Sequence, residues 1–149
     1  MKIRSINTLA NQRGMTLVEI LIVITLIAVV GTFVAGQFLD RLDEGNVNAA
    51  KIQISNFKSL LEDYRRLCNQ YPTADQGLEA LIAKPSTPPD CPNYPSSGFI
   101  QGSNKVPVDP WNTPYIYESD GTKYLITCLG KDKKEGGEKA AADIKSTDL

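Results

Sequence analysis

A single carboxylate interrupts an apolar stretch near the amino terminus of this chain. Glu19 is the one charged residue within residues 15–39, and it lies five positions after Gly14. An acid at bilayer depth costs roughly 2.5 to 3.5 kcal/mol on insertion scales, so it needs a compensating role. Pairing with a cation in a low-dielectric environment is the chemistry that Glu19 offers.

A second group of residues that could do chemistry lies in residues 129–144, where acids and glycines mix. Calcium prefers six to eight oxygen ligands from carboxylates and backbone carbonyls, and a glycine-containing loop can supply them. The segment lacks the Asp-x-Asp-x-Asp-Gly start of an EF-hand, and five lysines from Lys131 to Lys145 oppose a cation. Composition alone therefore favours a solvated loop over a metal site.

Composition also narrows the class of function. The chain has no histidine, which is the commonest general base and transition-metal ligand, and it has no Gly-x-Ser-x-Gly or phosphate-cradling glycine motif. An enzyme is therefore disfavoured. Sixteen basic and seventeen acidic residues leave a net charge of -1, which gives no reason to expect a nucleic-acid partner.

Three cysteines allow at most one disulfide within the chain. Cys68, Cys91 and Cys128 show no Cys-x-x-Cys spacing. Cysteines behind a membrane segment suggest an oxidising compartment, and Cys68 with Cys91 is the first pairing to consider. The alternative is that all three are small buried hydrophobic residues.

The apolar stretch, residues 15–39, predicts a membrane-spanning helix of roughly 37 Å, which exceeds a hydrocarbon core of about 30 Å. Residues 1–14 carry three basic residues and no acid, whereas acids predominate after residue 39. The positive-inside rule therefore places the amino terminus in the cytoplasm. No small-residue cleavage motif follows the stretch, so we expect any processing to occur before it, at Gly14.

Residues 13–19 read Arg-Gly-Met-Thr-Leu-Val-Glu. This motif resembles the class III signal of type IV pilins and of the pseudopilins of type II secretion systems. The resemblance implies that a prepilin peptidase cuts between Gly14 and Met15 and methylates the new amino group, which leaves 135 residues. Met15 departs from the phenylalanine that is usual in the family.

The same resemblance gives Glu19 a role in assembly. Once Met15 is the amino terminus, its ammonium and the Glu19 carboxylate of a neighbouring subunit can neutralise each other, and a subunit at the wrong height leaves both unpaired. The alternative is a plain signal anchor in which Glu19 lies near the headgroups and does nothing.

Beyond the apolar stretch, residues 40–67 predict the amphipathic half of one long helix that starts near Thr16. Apolar residues recur at intervals of four and three, so one stripe should pack on a carboxy-terminal domain: Ala50, Ile54, Phe57, Leu61 and Tyr64. The opposite positions are polar and should face solvent or a neighbouring subunit: Lys51, Ser55, Lys58, Glu62 and Arg66. Gly31, Gly36 and Gly45 are weak points, and Gly36 stands where the family commonly has proline.

Residues 68–149 predict a small globular domain. Thr73 and Gln76 form a capping-box pattern for a short helix that Pro85 stops, and a proline-rich loop follows. Two strand-like runs, residues 115–118 and 123–128, flank an Asp-Gly signal and predict a β-hairpin. Trp111 is predicted to plug the core rather than bind a ligand. The expected fold class is α+β and pilin-like, with the long helix packed on this domain.

The globular part resembles the major pseudopilin of type II secretion. The matching segments are Tyr-Pro-Thr-x-x-Gln-Gly-Leu-x-Ala-Leu at residues 71–81, Lys-Pro at 84–85, Asp-Pro-Trp at 109–111, Pro-Tyr at 114–115 and Gly-Gly-Glu at 136–138. The resemblance implies a calcium site formed by the Leu129 carbonyl and the carboxylates of Asp132 and Asp143. Alanines occupy residues 140–142, where relatives often have an acid or amide, so a third carboxylate would come from Glu135 or Glu138.

The resemblance implies a structural, non-enzymatic subunit of the inner membrane. Its amino terminus would be cytoplasmic and its carboxy-terminal domain periplasmic. It would polymerise into a pseudopilus that drives the export of folded proteins. Its expected partners are copies of itself, minor pseudopilins, the prepilin peptidase, and the inner-membrane assembly platform with its ATPase. The alternatives are a type IV pilin for adhesion or motility and, less favoured, a membrane-anchored periplasmic enzyme.

Overall fold

A computed structural model of the chain describes residues 14–149, except for the side chains at positions 33, 35 and 36. The predicted leader, residues 1–14, therefore lies outside the described residues apart from Gly14. The chain divides into two compact units, one ending at Asp40 and a globular one, Arg41–Leu149.

Helix α1, Leu17–Cys68, is 52 residues long and contains no proline. It ends where Asn69 adopts a left-handed conformation, φ 63°, and donates its N–H to the Arg65 carbonyl at 2.8 Å. This is a common helix C-terminus, and Arg65 and Arg66 in the last turn complement the helix dipole. The predicted long helix is confirmed, and α1 continues through all three glycines proposed as weak points.

The predicted apolar stripe of α1 forms one side of the core. Each of its five members is at most 2% exposed: Ala50, Ile54, Phe57, Leu61 and Tyr64. Four of the five polar positions opposite are exposed, but Lys58 is half-buried. Its Nζ donates to the carbonyl oxygens of Ser146 and Leu149 at 3.1 and 2.7 Å, so this lysine holds the end of the chain against α1.

A short helix does follow residue 73, as predicted, but the predicted capping of this helix is wrong. A turn occupies residues 74–77, and a single turn of 3-10 helix, Leu78–Leu81, follows with no side-chain cap. Gln76 does accept the Thr73 N–H at 3.1 Å, but its amide group donates to the Thr87 and Pro89 carbonyls at 2.8 and 3.0 Å. The buried Gln76 therefore fixes the proline-rich loop rather than a helix.

Three antiparallel strands complete the globular unit: β1, Ile116–Ser119; β2, Tyr124–Cys128; and β3, Ile144–Lys145. The hairpin predicted around Asp120 is confirmed, with Ser119 opposite Tyr124. Strand β3 pairs with the other side of β2, with Ile144 opposite Cys128. The sheet packs on the stripe of α1, and directly before β1 the ring of Tyr115 meets that of Phe57 edge to face at 5.3 Å.

A disulfide joins Cys68, the last residue of α1, to Cys91 in the proline-rich loop. The first of the two cysteine interpretations is thus confirmed, and Cys128 is a buried free thiol. Trp111 is half-buried and packs against the core, as predicted.

Candidate functional site

The first candidate site is the amino-terminal end of α1, where Thr16 and Glu19 form a reciprocal pair of hydrogen bonds. The Glu19 N–H donates to Thr16 Oγ1 at 3.2 Å, and the Thr16 N–H donates to Glu19 Oε2 at 3.4 Å. This is a capping box, which satisfies two backbone donors that a helix start leaves unpaired. The Thr-x-x-Glu spacing at residues 16–19 carries this signal in the sequence.

The capping box places the Glu19 carboxylate at the first turn of α1, close to Met15 along the chain. A negative charge here also interacts favourably with the helix dipole. Gly14 is exposed and has no other atom within 4 Å of the position that a Cβ would take, and Met15 is 71% exposed. Both residues that flank the predicted cleavage site are therefore exposed in the single chain.

The helix surface that follows Glu19 is apolar on all sides. Every large apolar side chain described from Leu17 to Leu39 is at least 42% exposed in the single chain. Helix α1 is the one helix in the described part of the chain that is long and apolar enough to cross a membrane, judged by length and composition. A helix that is apolar all round requires a lipid or protein environment.

The second candidate site is the loop between β2 and β3, residues 129–143. Because Cys128 pairs with Ile144, Leu129 and Asp143 face each other at the base of this loop. The loop is closed by backbone bonds, since the Lys131 N–H donates to the Ala140 carbonyl at 2.9 Å and the Asp143 N–H donates to the Gly136 carbonyl at 3.2 Å. The base thus brings two of the three predicted ligands together.

The carboxylate of Asp143 has an oxygen without a partner. Its Oδ2 accepts the Gly136 N–H at 3.1 Å, whereas Oδ1 is buried and has no hydrogen bond. A buried, unpaired carboxylate oxygen is costly unless a cation or water satisfies it. The donor set of this loop, carboxylates and backbone carbonyls, fits a hard cation such as calcium.

The other acids predicted to bind calcium are exposed to solvent and do not cluster. Asp132 is exposed, and its Oδ1 accepts the Lys134 N–H at 3.2 Å. Glu135 and Glu138 are also exposed, and within residues 14–149 no three acidic or cysteine side chains come together as a metal-binding set. Among the described residues, neither Glu135 nor Glu138 therefore joins Asp132 and Asp143 as a third carboxylate.

The alanines at residues 140–142 close the loop. The Ala140 carbonyl accepts the Lys131 N–H, and the Ala141 backbone lies so close to Gly137 that a Cβ on that glycine would overlap the Ala141 carbonyl. Gly137 also has a φ of +85°, which favours glycine. These positions contribute packing where an acid would contribute charge.

An ion pair that sequence reasoning missed ties this loop to α1. The Lys131 Nζ lies 2.7 and 3.0 Å from the two carboxylate oxygens of Asp43. The two residues are 88 positions apart, so no local pattern could have revealed their contact.

The free thiol of Cys128 belongs to a buried polar cluster around Asp109. The Asp109 carboxylate accepts the N–H groups of Trp111 and Thr113 at 3.0 and 2.7 Å, and it accepts the Cys128 thiol at 3.3 Å. Burial, aided by the hydrogen bond to Asp109, raises the pKa of Cys128 to about 11. The thiol therefore stays protonated and unreactive, and the cluster fixes the Asp-Pro-Trp loop.

Two family models match the chain. One, described as prokaryotic N-terminal methylation motif, matches residues 9–35. The other, described as type II secretion system (T2SS), protein G, matches residues 37–147.

Relatives and a solved structure agree with these matches. The type II secretion system core protein G of Pseudomonas aeruginosa is 38% identical over 140 residues, which cover 93% of this chain and 96% of the relative. The protein of the same description from Vibrio cholerae is 38% identical over 136 residues, 90% of each chain. The crystal structure of the major pseudopilin from the type 2 secretion system of enterohaemorrhagic Escherichia coli matches with a TM-score of 0.62 at 29% identity, covering 74% of this chain and 94% of that one.

Proposed function

The chain belongs to the protein G family of type II secretion systems, and on that premise we propose that it is stored in the inner membrane and polymerises into a pseudopilus that drives folded proteins across the outer membrane. Members of this family are structural pseudopilins and not enzymes. The observation that carries the proposal is the protein G match over residues 37–147, because it covers nearly all of the globular unit. The amino-terminal motif alone would equally suit a type IV pilin.

Processing comes first in this proposal. A prepilin peptidase cuts between Gly14 and Met15 and methylates the new amino group, in keeping with the methylation motif over residues 9–35. The exposure of Met15 and the open space around Gly14 support access of the peptidase to this bond. The product keeps α1 and the whole globular unit.

Assembly follows from the charge that processing creates. The ammonium of Met15 in one subunit pairs with the Glu19 carboxylate of a neighbour, and the mutual neutralisation fixes the axial register of the subunits. The capping box supports this role because it holds the carboxylate at the helix end where the amino group forms. The exposed apolar surface of α1 supplies the area through which subunits pack.

The proposed topology has the amino terminus in the cytoplasm and the globular unit in the periplasm. The basic leader and the acids that follow the apolar stretch support this orientation. The disulfide between Cys68 and Cys91 supports an oxidising compartment for the globular unit. The proposed partners are further copies of the chain, minor pseudopilins, the prepilin peptidase, and the inner-membrane assembly platform with its ATPase.

Calcium is the proposed cofactor of the loop between β2 and β3. The Leu129 carbonyl and the carboxylates of Asp132 and Asp143 would hold the ion, and the unpaired Oδ1 of Asp143 is the observation that supports a cation there. When bound, the ion would join parts of a loop that has few apolar side chains of its own. The proposed role of the ion is structural, because a ligand that binds the folded state and not the unfolded state raises the free energy of unfolding.

Deletion of the gene tests the function. We expect secreted enzymes to accumulate in the periplasm of the deletion strain while surface pili and twitching remain. A strain that loses pili but secretes normally would instead identify the chain as a type IV pilin. Complementation with the intact gene is the control.

A further inference from the structure

The side chain of Lys131 joins the cation loop to α1. Its ammonium lies against both carboxylate oxygens of Asp43, whose side chain is 26% exposed. The acids of the other ion pairs in residues 14–149 are at least 50% exposed, and their partners are at most six positions away: Arg41–Glu44, Asp63–Arg66 and Lys84–Asp90. The Asp43–Lys131 pair therefore has the most enclosed acid of these pairs, although the Lys131 side chain is 55% exposed, and it is the one that links distant segments.

The backbone of Lys131 is fixed as well. Its N–H donates to the Ala140 carbonyl at 2.9 Å, across the mouth of the loop. Lys131 also precedes Asp132 directly and follows Leu129 by two positions. Lys131 and Lys133 both flank Asp132, but only Lys131 also lies within two positions of Leu129.

The charge of Lys131 has to be directed away from the loop if a divalent cation is to bind there. Lys133, Lys134 and Lys139 are exposed, and the side chain of Lys131 is itself 55% exposed, so water and salt partly screen all four charges. Lys131 differs because the same residue closes the loop. An ammonium without an external partner would be free to turn toward Asp132 or the unpaired oxygen of Asp143 and compete with the cation.

We propose that Asp43 is a positioning residue for the cation loop: by holding the Lys131 ammonium against α1, it keeps that charge off the carboxylates that bind calcium. The inference rests on the calcium site proposed above. It assigns to α1 a part in calcium binding although no α1 residue is a ligand. Calcium affinity then depends on the contact between α1 and the loop.

Calorimetric titration of calcium chloride into the detergent-solubilised full chain, freed of calcium by chelator, tests the inference. We expect Asp43→Asn to lower the calcium affinity about threefold to tenfold, because the released ammonium opposes the cation. Lys131→Met should bind calcium at least as tightly as the wild type. In the Lys131→Met background, Asp43→Asn should change the affinity by less than about twofold, since the charge it controls is gone.

Glu44→Gln is the matched control, because it removes the same charge from the adjacent position of α1 but frees only the exposed Arg41. Three outcomes would each overturn the inference but leave the calcium site in place. They are wild-type calcium affinity in Asp43→Asn, weaker calcium binding in Lys131→Met, and an equal loss of affinity from Asp43→Asn in the wild-type and Lys131→Met backgrounds. A wild-type chain that takes up no calcium would overturn both. Melting curves in chelator, followed by the fluorescence of Trp111, establish that each variant is folded.

Discussion

Glu19 caps helix α1 in the single chain. The free energy of this cap can be compared with the free-energy cost of placing an acid in the bilayer. A capping interaction contributes about 0.5 to 2 kcal/mol. An acid at bilayer depth costs roughly 2.5 to 3.5 kcal/mol. The cap alone does not offset the cost of the acid, so a second favourable interaction is required, and the ammonium that the proposed cleavage would create at Met15 is a group close to Glu19 in the sequence.

Glu19→Gln separates the two roles, because glutamine preserves a capping box but carries no charge. We expect cleavage at Gly14 and membrane insertion to remain normal, while fibres are lost as completely as in Glu19→Ala. Immunoblots of sheared fibres, with the size shift on processing as the internal control, measure both steps. Normal fibres from Glu19→Gln would mean that the cap, and not the charge, is what assembly needs.

At the scale of elements, the sequence predicts what local periodicity encodes. The stripe from Ala50 to Tyr64 and the hairpin around Asp120 follow from spacing and turn chemistry, so both are found where they were expected. Strand β3 has two residues and no periodic signal, and it is defined only by its pairing with Thr127 and Cys128 of β2. The Asp43–Lys131 pair likewise depends on the packing of two segments 88 positions apart, which no local pattern contains.

The loop between β2 and β3 depends on close backbone packing at Gly137. Both Gly136 and Gly137 have φ between +85° and +97°, so alanine costs roughly 1 to 2 kcal/mol at either position. Of these two positions, only Gly137 would place the new Cβ against the Ala141 backbone, since a Cβ on Gly136 would have no atom of another segment within 4 Å. The overlap should add about 1 to 3 kcal/mol of strain to Gly137→Ala. We therefore expect Gly137→Ala to lower the melting temperature clearly more than the matched variant Gly136→Ala does. Equal effects in thermal melts would contradict the packing described for this loop.

The hairpin of β1 and β2 makes the globular unit sensitive to alkaline pH. Burial raises the pKa of both Tyr117 and Tyr124 to about 12, from an ordinary value of 10.0. The folded state therefore holds these protons more tightly than the unfolded state. This contribution to stability is complete below pH 10 and is lost as the pH rises toward 12.

Tyr117→Phe tests this dependence, because it removes one titrating group from the hairpin. The variant should be less stable at pH 8 by about 1 kcal/mol, through loss of the hydrogen bond to the Pro72 carbonyl. Its melting temperature should fall less steeply between pH 10 and 12 than that of the wild type. Parallel curves for the two proteins would exclude Tyr117 as a source of the alkaline sensitivity.

At the scale of the whole molecule, the two units differ in how their apolar surface is satisfied. The globular unit, Arg41–Leu149, encloses its own core, whereas the described side chains of α1 before Asp40 are exposed. The first unit therefore depends on lipid or on other subunits, and the second is stable through internal packing, one disulfide and, as proposed, one cation. This division lets one chain be both a membrane protein and a fibre subunit.

Calcium should raise the melting temperature of the full chain, because an ion that binds only the folded state stabilises it by RT ln(1 + [L]/Kd), about 2.7 kcal/mol at a hundredfold excess over Kd. We expect Asp132→Ala and Asp143→Ala to abolish the difference between millimolar calcium and chelator. Glu118→Gln, an exposed acid on β1, should retain it. Equal melting temperatures of the wild type in calcium and in chelator would remove the metal from this protein.

The disulfide at the end of α1 has a mechanical consequence. Helix α1 ends at Cys68, where the covalent bridge to Cys91 begins, so any load carried along α1 in the proposed fibre meets this bridge at the end of the helix. Force that reaches this point passes through the bridge and bypasses the 22 residues between the two cysteines, which would otherwise extend by roughly 75 Å. Tension applied across the two cysteines therefore cannot lengthen the segment between them.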